Sequence, residues 1–104
     1  MVKLENEIKD IIRLLKIIRG YVGIKDCDVT MSTFNTSKDV INVIDNHIIR
    51  LSESDISKIN ELKILFLPTS DFQEISISNG WGEEYLEIAE EFDSLVQLVK
   101  KRIK

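Results

Sequence analysis

The stretch GEEYLEIAEEFDSLVQLVKKRIK, residues 82–104, decides the fold class. At 100° per residue, Tyr85, Ile88, Ala89, Phe92, Leu95, Val96, Val99 and Ile103 fall within about 120° of one another. Glu83, Glu84, Glu87, Glu90 and Glu91 occupy the opposite side. One face is therefore built for a core and the other for charge. The acids crowd the helix start, while Lys100, Lys101, Arg102 and Lys104 crowd its end. Both placements suit the helix dipole, at about 0.3–1 kcal/mol per charge.

Upstream, the apolar positions keep helical spacing but the punctuation changes. From Leu4 they fall at 4, 8, 11, 12, 15 and 18, opposite Glu5, Lys9, Arg13 and Lys16, which predicts an amphipathic helix ending at Gly20. Gly23 then suits a chain reversal or a loosened last turn. Thr36 or Ser37 can cap a second helix carrying Val40, Ile41, Ile44, His47, Ile48 and Leu51 on one face. Ser54 is positioned to cap a third, through Ile56, Ile59, Leu62 and Phe66, which must stop near Leu67 because Pro68 disfavours helical geometry before it. Pro68-Thr69-Ser70 then opens a short helix with Phe72 and Ile75, closed by Asn79-Gly80, and Gly82 can cap the last one. The expected architecture is mainly α, a single domain of four to five helices over residues 1–104. The alternative is α+β, with short strands at 29–34, 64–67 and 73–77, where apolar residues also alternate or run together.

Composition narrows the function classes. In 104 residues, 14 Lys and Arg stand against 18 Asp and Glu, a formal charge of −4, which argues against a nucleic-acid binder. Charges interrupt the apolar positions at the N-terminus, and no apolar run approaches the roughly 20 residues of a membrane span. A cytoplasmic protein that engages neither nucleic acid nor membrane is expected. Cys27 is the only cysteine, so neither an internal disulfide nor a cysteine pair for zinc is available. Asp26 and Asp28 beside it would raise its pKa and make it less nucleophilic.

No catalytic constellation emerges. His47, the only histidine, falls on the apolar face of its helix, where a satisfied core histidine is the ordinary reading. A metal would need further ligands and a reaction would need a partnered nucleophile or base. Gly20-x-x-Gly23 and Gly80-x-Gly82 lack the ending of a phosphate loop. The expectation is a protein that is not an enzyme, with no catalytic residue, metal or cofactor.

Charge resolved by position is more telling. Residues 1–63 hold ten basic and ten acidic side chains, residues 64–99 hold eight acidic and no basic ones, and residues 100–104 hold four basic ones. The acid block is Asp71, Glu74, Glu83, Glu84, Glu87, Glu90, Glu91 and Asp93. A solvated helix face explains such a block in part. Glutamates four apart nevertheless repel by a few tenths of a kcal/mol per pair, and a basic protein partner would offset that. The candidate partner-binding residues are Asp71, Glu74, Trp81, Glu83, Glu84, Glu87, Glu90 and Glu91. Trp81, the only tryptophan, reads either as a core plug in the corner between helices or as an aromatic anchor within an acidic rim. A rival reading is a structural or adaptor module that self-associates through exposed Ile17 and Ile49, with the acids serving as solvation.

The run Leu65-Phe66-Leu67-Pro68-Thr69-Ser70-Asp71-Phe72-Gln73-Glu74-Ile75, continued by Asn79-Gly80-Trp81-Gly82-Glu83-Glu84-Tyr85-Leu86 and Phe92-Asp93, resembles a pattern in small uncharacterised bacterial helical proteins. Some of these are thought to be immunity proteins of polymorphic or contact-dependent toxin systems. The resemblance does not extend over the N-terminal half. It implies a helix–corner–helix element and inhibition by binding, and it transfers no catalytic residue. Many toxins of such systems are nucleases with basic clefts, so the implied partner is a basic toxin domain.

Overall fold

The computed structural model describes residues 4–24 and 27–102, which form five helices and, among the described residues, no strand. They are α1 (Glu5–Val22), α2 (Ser37–Ser52), α3 (Ile59–Leu65), α4 (Asp71–Ser78) and α5 (Gly82–Arg102). Helix α1 packs against α2 and α5, and α5 also packs against α4 and, less extensively, α3. One core cluster draws on every helix, with Ile11, Leu15 and Ile18 from α1, Val40 and Ile44 from α2, Leu62, Phe72, and Tyr85, Phe92 and Val99 from α5. The mainly α reading holds, and the strand alternatives do not.

Each strand alternative fails for a local reason. At 29–34 the side chains take the backbone bonds a ladder would need. Asp28 accepts from the Thr30 N–H, the Ser32 hydroxyl donates to the Val29 carbonyl, and the Phe34 N–H donates to that same hydroxyl. Residues 64–67 are the end of α3 and its closing turn. Residues 73–77 lie inside α4, whose Phe72 and Ile75 face the core one turn apart.

Helix ends account for the remaining differences. Helix α1 runs through Gly20 to Val22, and Gly23 closes it in right-handed geometry. Thr36 caps α2 as expected, its hydroxyl accepting from the Asp39 N–H at 3.2 Å. Ser54 caps nothing. It sits at φ 60° and closes α2, with its N–H on the Leu51 carbonyl and the Asp55 N–H on that of Arg50. Asp55 then holds the Ser57 N–H, and α3 starts only at Ile59. Gly80 closes α4 by the same geometry at φ 83°, with the Trp81 N–H on the Ser76 carbonyl. Gly82 is the first helical residue of α5 and not its cap, because the Tyr85 N–H already bonds the Trp81 carbonyl.

Candidate functional site: the acidic face of α5

Core burial of Tyr85, Ile88, Phe92, Leu95, Val96 and Val99 fixes the rotation of α5 and turns Glu83, Glu84, Glu87, Glu90 and Glu91 to solvent. All five are exposed. Among the described residues, one of the five has a basic partner: Glu91 pairs with Arg13 of α1, which also lies 3.7 Å from Asp10. Both partners are about half exposed, so this bridge is worth little and serves mainly to mark where α1 runs beside α5. Leu86 projects from the same helix, 57% exposed, one turn from Glu83 and Glu90. Beside it an open groove of about 320 Å³ runs between the end of α3 and α5, lined by Lys63, Leu67, Pro68, Ala89, Glu90 and Asp93 above the Phe66 and Phe92 rings.

Three of the residues read from sequence as partner-binding lie off the exposed face of α5. Trp81 is 4% exposed and stacks on Tyr21, so it is a core plug and not an exposed anchor. Its Nε1 donates to no acceptor among the described residues. Asp71 is held by the loop before α2, accepting from the Thr33 N–H and the Thr33 hydroxyl, each at 2.8 Å. That carboxylate ties the 28–36 loop to the start of α4. Glu74 is half-buried in the first turn of α4, on a different helix from the five glutamates. Asn79 makes a similar tie, accepting from the Asp28 N–H and donating to the Asp28 carbonyl.

His47 is half-buried and lines an open depression of about 220 Å³ with Val43, Asn46, Arg50, Lys58 and Glu61. Burial lowers its pKa; Glu61 acts against that shift and Arg50 adds to it. The Glu61 carboxylate accepts from Lys58 Nζ at 3.4 Å, and the imidazole bonds neither of them. Cys27 is half-buried and its thiol pKa is raised, first by burial and then by Asp28; Asp26 lies outside the described residues. Among the described residues no group of three or more His, Cys, Asp or Glu is placed to hold a metal ion. No helix among them is long and apolar enough to cross a membrane.

Sequence reading singled out Ile17 on the outer face of α1 but joined it to Ile49 and missed the residues that surround it. Two shallow depressions meet there at Ile17, one lined by Lys9, Ile12, Arg13 and Lys16 and the other by Gly20, Tyr21 and Ile24. The signal was present: Ile17 and Ile24 are seven apart with Gly20 and Tyr21 between them, a second apolar seam on the polar side of the helix. Ile49 is exposed too, but on α2. Arg19 reaches Asp45 of α2 at 2.6 Å, and Ile17 points about 200° around α1 from Arg19, so Ile17 and Ile49 form no common patch. No protein-family model, curated protein or solved structure matches the chain.

Proposed function

We propose that this is a binding protein of immunity type, which neutralises a basic toxin domain by laying the acidic face of α5 over its active site or an adjoining surface. The observation that carries the reading is the row of five exposed glutamates on one helix, of which Glu91 alone is ion-paired among the described residues. Like charges at i,i+4 weaken the isolated helix, and a cationic partner turns the same charges into attraction. The mechanism is steric and electrostatic. The apolar anchor is Leu86 with the Leu67–Ala89 groove beside it, in place of Trp81. Glu90 and Asp93 line that groove opposite a single cation, Lys63, so a partner side chain entering it brings its cations to two carboxylates. Co-expression with candidate basic toxin domains tests the reading. Growth should be restored by the wild type and not by Leu86→Ala/Glu90→Lys.

A further inference from the structure

We propose that the outer face of α1 is a homodimer surface, which receives the α1-side flank of α5, carrying Glu84 and Glu87, from a second copy of this chain.

Two contacts set the geometry. Tyr21 stacks on Trp81 at the N-terminal end of α5, and Arg13 meets Glu91 further along it, so α1 and α5 lie side by side and antiparallel. The two pairs set a register in which Lys16 lies level with Glu87. The molecule thus presents a basic and apolar strip, with Lys16 and Ile17, next to an acidic one. Turning a copy about a two-fold axis parallel to the helices and midway between them lays each α1 over the other copy's α5. Lys16 of each then faces Glu87 of the other, and the surface is complementary to itself.

Gly20 is a second, independent observation. It lies within α1, where a glycine weakens the helix, yet nothing in its own chain calls for one. Its φ is not positive, and a Cβ there would meet no atom within 4 Å. Ile17, 39% exposed, and Ile24, 61% exposed, flank it. A bare backbone between two exposed isoleucines is what close approach by another helix requires.

This proposal does not depend on the toxin partner, whose apolar anchor at Leu86 lies on the opposite flank with Glu83 and Glu90, although Glu84 and Glu87 belong to the same acid row. Sedimentation velocity of the full chain at about 100 µM, in about 50 mM and about 500 mM salt, tests it directly. The wild type is expected to sediment as a dimer at low salt, with association weakened about tenfold at high salt. Lys16→Glu and Glu87→Lys should each be monomeric, whereas their equimolar mixture should dimerise, because both α1–α5 contacts are then complementary. Gly20→Trp should stay folded by circular dichroism and be monomeric. A wild type that is monomeric at low salt overturns the proposal. So do a dimer that persists in the single variants and a mixture that fails to restore it.

Discussion

The indole of Trp81 lies flat on the Tyr21 ring, with centroids 4.5 Å apart and planes within 7° of parallel. Sixty positions separate the two in sequence, so this stack fastens the end of α1 to the corner between α4 and α5. Gly80, at φ 83°, makes that corner, and the edge of Trp81 also meets Tyr85, at 6.2 Å between centroids. The acidic face is therefore held in place from behind by a residue that sequence alone allowed to be part of it.

Replacing Trp81 by alanine should cost about 3–5 kcal/mol in urea unfolding, the range for a buried aromatic. Before unfolding, the single tryptophan should emit at short wavelength and resist acrylamide quenching. A solvent-like emission maximum would return Trp81 to the surface.

Ser54→Gly should stabilise the chain by about 1 kcal/mol. Ser54 sits at φ 60° in the position that glycine fills most easily, and its own backbone bonds would be kept. Thermal unfolding measures the gain. A loss of stability would mean that the Ser54 side chain does more than tolerate the turn.

His47 supplies a distinct pH dependence. Burial lowers its folded pKa below 6.5, so the unfolded chain binds more protons as pH falls through that region. Stability associated with the neutral imidazole is complete above the unfolded value and is lost as pH drops toward the folded one. The paired Asp28, Asp45 and Asp55 are shifted below 3.8, by hydrogen bonds from Thr30, Arg19 and Ser57 respectively, so their contributions are lost only at lower pH. Urea midpoints at pH 7.5 and about 5.5 should differ for the wild type and agree for His47→Gln. An equal difference in both proteins would contradict this assignment.

Much of the fold was legible because it rests on local rules. The α5 faces follow from residue spacing, the Thr36 cap from a hydroxyl three residues before an N–H, and the Gly80 corner from the need for positive φ. What escaped is long-range or disguised. Asp71 counts as one more acid until Thr33, 38 positions upstream, is seen to hold both its oxygens. Ser54 resembles a helix start because serine favours N-caps, yet here it ends the preceding helix in a glycine's conformation. Trp81 was ambiguous because its burial depends on Tyr21. Of the site, Glu83, Glu84, Glu87, Glu90 and Glu91 were recoverable from periodicity. Leu86 was hidden among them as the one apolar residue off the core face in that half of the helix.

Glu90→Lys separates charge used for binding from charge used for folding. The new lysine lies one turn from both Glu87 and Asp93, so stability should be unchanged or rise by a few tenths of a kcal/mol. Partner affinity should fall as stability holds. Parallel losses in both would make Glu90 a structural residue.

The most direct test of the central claim is the association rate with a basic toxin domain that the chain protects against in co-expression, measured by stopped flow against ionic strength. A steered encounter predicts that kon falls about tenfold or more between about 50 mM and 500 mM salt, and that Glu83→Lys/Glu90→Lys lowers kon and flattens that dependence. A kon that is independent of salt and unchanged in the variant would contradict the assignment of the acidic face of α5 as the binding surface.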